Sequence, residues 1–337
     1  MILEVIIPTF NRPEQLRQTV RDLLPQMTAE SSITLIDNAS EPPITFESLG
    51  ITDLGARLKI RIIRNSVNIG GDANILRCFE VCAAPYLWLL GDDDVLESNA
   101  IRIILDNIRN SPNIIFFNYR FRSHRAEDKT TSDLAGFIHA IDFWGDIMLI
   151  SNSVYNCMQI REAVQSGYHY CYAYSGHVAV LLDRLRRSQG DVLFSRESII
   201  QGHNLMESTY HWSILRYSLS RFALLDMQMD DRLRVLLGKK MLSRTGTLLS
   251  GAFILKHAFV YCLILSARNH RREGRFCFDQ LVQRTRRYGN WRFSLKALLY
   301  GLLLHFPHIM LSFIRILGKS GRLSTVMKQE KDANETV

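Results

Sequence analysis

YLWLLGDDDVLES, residues 86–98, carries five mostly apolar residues into a glycine and then three consecutive aspartates. The apolar part reads as a buried strand over 85–90. The acidic part is a poor continuation of one, because neighbouring like charges repel and burying each carboxylate is costly. Asp92, Asp93 and Asp94 need a counter-charge. A hard divalent cation with oxygen ligands, Mg2+ or Mn2+, supplies one. Such an ion commonly shares its remaining positions with substrate phosphates, so the trio reads as half of a metal–diphosphate site. The plainer alternative is a solvated loop entering a helix, since aspartate is favourable near a helix N-terminus.

Working outward, apolar runs alternate with helical patterns. Strands are expected at 2–8, 32–40, 58–65, 85–90 and 113–119. Helices are expected at 12–27, with Pro13 in the first turn, at 71–84, and at 98–110, with Ser98 as cap. This alternation predicts an α/β fold, a mainly parallel sheet flanked by helices. In such sheets ligands sit at the carboxyl ends of the strands. Residues 120–133 read as an exposed loop, 153–160 as a strand, and 174–190 as a helix with Gly190 past its end. Past about 208 almost nothing reads as strand. The expected division is a catalytic domain over 1–205, with halves 1–119 and 120–205, a basic apolar helical region over 206–325, and a polar tail over 326–337.

Composition bounds the possibilities. The chain has 337 residues, is 47% hydrophobic and carries a formal charge of +8. That is enough chain to bury a core, and a basic balance suits anionic partners. Six scattered cysteines, with no metal-finger spacing, fit a reducing cytosol. Cys78 and Cys82 lie four apart and read as core. MILEVIIPTF does not read as a signal peptide. Nucleic-acid binding is the weaker account of the charge, because the basic residues sit among long apolar runs and form no recognition motif. A nucleotidyltransferase is disfavoured because no glycine-rich loop followed by lysine stands near the N-terminus.

If the sheet is parallel, three strand ends bring polar groups together: Thr9, Asn11 and Arg12; Asp37 and Asn38; and Asp92–Asp94. VIIPTFNRPEQL, LIDNAS, NSVNIGGDANILRCFE and YLWLLGDDDVL, in this order and spacing over roughly 3–97, resemble the family 2 glycosyltransferases of GT-A fold. No single block is specific; the four in order are. Chain length and the basic helical tail resemble the bacterial O-antigen and surface-polysaccharide members, including abequosyltransferase-like enzymes.

The resemblance implies roles. Pro8, Thr9, Asn11 and Arg12 would lie beside a nucleotide-diphospho-sugar donor. Asp37 would bind base or ribose, against an Asx turn with Asn38 as the alternative. Asn68, Gly70 and Asn74 would line the nucleotide pocket, against a loop and helix cap. Asp92 and Asp94 would be the ends of a DXD motif that meets ribose and metal, with Asp93 between them. The implied reaction is an inverting, metal-dependent sugar transfer. Its transition state is oxocarbenium-like, and a base takes the acceptor proton.

Family members usually carry that base in a Glu-Asp pair opening a helix. Here the helix opens YSGHVAVLL, with no acidic pair and with His177 near the expected position. Imidazole titrates near neutrality, so His177 is a candidate base, against a packed first-turn histidine. Asp183 is the weaker alternative, spaced to pair with Arg186 or Arg187. The missing pair also admits a catalytically silent nucleotide-sugar- or membrane-binding subunit.

The stretches 247–267 and 297–317 are long and apolar, but the first holds Lys256 and His257 and the second Pro307 and His308. Neither is a clean spanning helix. Between them, 268–296 carries nine Lys or Arg against two acids. This pattern fits peripheral attachment to an anionic membrane face in the bacterial cytoplasm, against a solvated basic face on a helical domain. The implied acceptor is a polyprenyl-diphosphate-linked glycan.

Overall fold

The structure, a computed structural model, describes residues 1–203, 221–242, 259, 262, 271–289 and 291–306. The chain divides into two compact units. One comprises Met1–Met206 with Asp226–Leu233, the other Glu207–Leu225 with Arg234–Val337.

The first unit is built on β1 (Leu3–Thr9), α1 (Pro13–Leu23), β2 (Ser31–Asp37), α2 (Leu54–Arg57), β3 (Ile60–Arg64), α3 (Gly71–Val81), β4 (Tyr86–Leu89), β5 (Asp94–Leu96) and α4 (Ala100–Asn110). It continues through β6 (Phe116–Asn118), β7 (Lys129–Thr131), α5 (Leu134–Ala140), α6 (Trp144–Met148), β8 (Ser153–Asn156), α7 (Cys157–Ile160), α8 (Val164–His169), α9 (Gly176–Arg187), β9 (Val192–Phe194) and β10 (Ile200–His203). The main sheet has the order β3-β2-β1-β4-β8-β6-β9-β7. Pairing is parallel from β3 through β4 and between β6 and β9. It is antiparallel where β8 inserts between β4 and β6, and at β7.

The four parallel strands follow the apolar runs, because both faces are covered. On one face Leu16, Val20 and Leu23 of α1 and Ile101, Ile104 and Ile108 of α4 pack with Val5, Leu35 and Trp88 in one core. On the other, Tyr155 meets Phe79 of α3 and Phe116 of β6, each at 4.9 Å between ring centroids.

Several expected boundaries move for physical reasons. The first helix stops at Leu23 and tightens into a 3-10 turn over Leu24–Gln26. Pro25 has no N–H, and its ring clashes with the preceding turn. The expected strand 153–160 ends at Asn156. Its partner β4 begins at Tyr86, which pairs with Asn156, so the ladder runs out and the chain turns into α7. The cap of α4 is Asn99 rather than Ser98, and no side chain bonds to the cap. The 120–133 segment contains the exposed edge strand β7. β5 and β10 form a separate two-stranded antiparallel sheet.

In the second unit the described elements include α11 (Arg271–Thr285) and α12 (Trp291–Leu303); a further helix, α10 (Asp231–Leu242), precedes them in the chain. Phe259 stacks on Tyr300 at 4.5 Å. Most of the stretch 247–267, including Lys256 and His257, lies outside the described residues, as do Pro307, His308 and the 326–337 tail. Among the described residues no helix is long and apolar enough to cross a membrane.

Candidate active site

The carboxyl ends of β1, β2 and β4 lie side by side, so the loops after them meet. After β1, Asn11 takes a left-handed φ of 54°, which asparagine tolerates better than most residues. Its N–H donates to Ser40 Oγ at 2.9 Å, and its Oδ1 accepts the Glu41 N–H at 2.8 Å. The β1 and β2 loops are thereby stitched together.

The three aspartates part company. Asp92 accepts from Thr9 Oγ1 at 2.7 Å on Oδ2 and from Arg12 Nη1 at 2.6 Å on Oδ1. Asp93 Oδ2 accepts from Arg12 Nη2 at 2.7 Å. Asp94 opens β5, and its Oδ2 takes the Ser151 hydroxyl, which also accepts the Gly91 N–H at 2.9 Å. A Cβ at Gly91 would lie 2.5 Å from Asp94 Oδ2, so only glycine permits this approach. Asp92 is 4% exposed, and burial raises its pKa to about 6, against the pull of Arg12 and Thr9.

A divalent cation needs several oxygens turned to a common point. Here both oxygens of Asp92 already carry donors, one of them a guanidinium, and Asp94 is bound to Ser151. Among the described residues no three His, Cys, Asp or Glu are grouped to hold a metal. The residues in this arrangement do not fit Mg2+ or Mn2+.

The other expected contacts sort by burial. Asp37 is wholly buried; it accepts from the Ser40 N–H at 2.8 Å, the Ile44 N–H at 3.3 Å and Arg64 Nη1. Its oxygens therefore hold the loop of its own strand. Asn38 and Asn74 are buried in an amide network joined through Asn65, whose Nδ2 donates to Asn38 Oδ1 at 2.8 Å and Asn74 Oδ1 at 2.9 Å. Asn38 Nδ2 donates to Asn68 Oδ1 at 2.8 Å. Asn68, Gly70 and Asn11 are exposed, Pro8 and Asp93 half-buried. Gly70 has a φ of 87° and open space where a Cβ would stand.

α9 begins at Gly176 and buries His177, 3% exposed. Burial pushes the imidazole down to about 4, against hydrogen bonds to the backbone of Ile147 and Met148. Nε2 has no hydrogen-bond partner. Asp183 accepts from Arg186 at 2.7 Å, Arg187 at 2.8 Å and Ser166 at 2.7 Å. Burial raises its pKa, but these three donors outweigh it and leave it below the ordinary value.

Three residues escaped sequence reasoning. Asn65 and Ser151 are ordinary polar residues until the fold brings their partners close. Asp72 stands in the first turn of α3, where burial lifts its carboxyl to about 7 against its own backbone hydrogen bond. The acid inside NIGGDANIL, on the helix face that also carries Leu76, is the signal that could have found it.

Comparison with known proteins agrees with this architecture. The family model for Glycosyl transferase family 2 matches residues 4–167, just under half of the chain. The abequosyltransferase RfbV of Salmonella typhimurium is 31% identical over 106 residues, 31% of this chain and 32% of that protein. The match thus spans about a third of that relative. The crystal structure of S. aureus TarS 1-349 with UDP superposes with a TM-score of 0.60 over 96% of this chain and 93% of that one, at 9% identity. Its complex with UDP-GlcNAc gives 0.57 over 92% and 88%, at 10% identity. At these identities the likeness is one of fold, the GT-A fold.

Proposed function

We propose that the chain is an inverting glycosyltransferase that moves a sugar from a nucleotide-diphosphate donor to a hydroxyl of a lipid-linked glycan in surface-polysaccharide synthesis. The observation that carries this is the meeting of the Thr9–Arg12, Asp37–Asn38 and Asp92–Asp94 strand ends within the stretch that the family 2 model matches. The crevice outside such strand ends is where α/β sheets bind ligands. UDP and UDP-GlcNAc in the TarS crystals support the donor class.

Loss of the nucleoside diphosphate leaves positive charge on the sugar and negative charge on the phosphate. The buried Thr9, Asp37, Asn38, Asn74 and Asp92 fix the loops before the donor arrives. The exposed Asn11, Asn68 and Gly70 offer polar groups to it. No step is assigned to Mg2+ or Mn2+, because both oxygens of Asp92 already face donors, one of them the Arg12 guanidinium. His177 is the candidate base: its burial keeps it neutral and leaves Nε2 as an unshared acceptor, although a pKa of about 4 makes it a weak one. Asp183 has no lone pair to spare for this task.

A lipid-linked acceptor at a cytoplasmic membrane face is supported by α12, which exposes Leu295, Leu298, Leu299 and Leu302 beside Lys296. Flotation with anionic liposomes at low salt tests this; protein left at the bottom contradicts it. A catalytically silent subunit is the second account, favoured by the missing acidic pair and the buried ring at the start of α9. A panel of nucleotide sugars with extracted lipid acceptor separates the two. Release of free nucleoside diphosphate from one donor marks an enzyme. Binding without release marks the silent subunit.

A further inference from the structure

We propose that Arg12 is a built-in counter-cation which shuts the Asp92–Asp93 pair against divalent cations in the donor-free protein. The location at the donor site rests on the function proposed above; the exclusion itself does not.

Arg12 occupies the cap position of α1, where Ser, Thr, Asp or Asn would serve the helix, and its side chain makes no cap hydrogen bond. Its guanidinium turns instead across the sheet edge to the end of β4. There the side chain is 3% exposed, a costly burial for a cation without partners. The fork is divided: Nη1 lies 2.6 Å from Asp92 Oδ1, and Nη2 lies 2.7 Å from Asp93 Oδ2. One charge thus bridges two adjacent carboxylates, the task a metal ion performs elsewhere. Thr9 fills the second oxygen of Asp92, and Thr19 Oγ1 donates to the Asp92 carbonyl at 2.9 Å, which fixes the backbone beneath it.

A divalent ion at the same oxygens would stand in contact with the guanidinium, cation against cation. The two are therefore alternative occupants. Arg12 can leave only for another anion with oxygens spaced for its fork, and a diphosphate is such a group.

The test uses the full chain with Mn2+ alone, free ion being followed by electron paramagnetic resonance. Arg12→Met is expected to bind Mn2+ about tenfold or more tightly than wild type, once the fixed positive charge is gone. That gain should vanish in Arg12→Met/Asp92→Asn. Equal affinities of wild type and Arg12→Met overturn the proposal. Should Arg12→Met not fold, the wild type decides alone: donor-free Mn2+ binding that disappears in Asp93→Asn overturns it, and absence of such binding upholds it. No donor or turnover enters this titration, so its failure is separate from failure of the transferase function.

Discussion

Two polar regions of the first unit are treated in opposite ways. At the ends of β1 and β4, each aspartate has a donor: Thr9 and Arg12 on Asp92, Arg12 on Asp93, Ser151 on Asp94. At the starts of α3 and α9, Asp72 and His177 receive little compensation. Burial drives Asp72 up to about 7, and it drives His177 down to about 4. The difference separates two tasks. The first region is fixed in geometry before any ligand arrives, although burial lifts Asp92 to about 6 there as well. The second holds groups whose protons are loosely determined, a property that acid–base chemistry uses.

The comparison breaks first at Arg12. Arg12→Met leaves Asp92 buried without its cation, and about 3 kcal/mol or more of stability should be lost at pH 7. Part should return at pH 5, where Asp92 is protonated. A loss under about 1 kcal/mol in denaturant titration would show that the pair is not the anchor of this region. Next, His177→Ala is expected to lower turnover on the order of 10²-fold with donor affinity unchanged. A near-wild-type rate removes His177 from the mechanism. Thr9→Val, which deletes one hydroxyl bond to Asp92, should cost about 1–2 kcal/mol in the same titration. An unchanged midpoint contradicts it.

The smallest effect is a slope. Asp72 has a folded pKa of about 7, above its ordinary 3.8, so its contribution to stability is full at low pH and is lost as pH rises through 7. His177, with a folded pKa of about 4 below its ordinary 6.5, has the opposite sign: its contribution is present above 6.5 and is lost as pH falls toward 4. Asp72→Asn should therefore lose less stability than wild type between pH 5 and pH 8. Parallel curves for the two proteins would place Asp72 in solvent.

The strands that form the parallel half were legible because LEVIIPT, SSITLID and YLWL are apolar on both faces. The three-residue strands β5 and β7 were not, since DVL and KTT carry no period long enough to detect. At the site, strand-end logic grouped Thr9, Arg12 and the aspartates correctly as neighbours. It did not foresee which way each carboxylate turns. Asp94 goes to Ser151, 57 residues away, and that partner is set by β8 inserting next to β4. Asp37 likewise looked outward in the sequence, yet the tight turn through Ser40 consumes its oxygens. The pairing of Asp183 with Arg186 and Arg187 was legible, because i,i+3 and i,i+4 neighbours must meet on a helix.

The central claim is that the crevice above β1, β2 and β4 receives the donor nucleotide. A crystal structure of the full chain with its tightest-binding nucleoside diphosphate tests this most directly. The ligand is predicted to lie within hydrogen-bonding reach of Asn11, Asn68 or Gly70 and beside Asp93. A nucleotide bound elsewhere, with Arg12 and the three aspartates facing no ligand, contradicts the account.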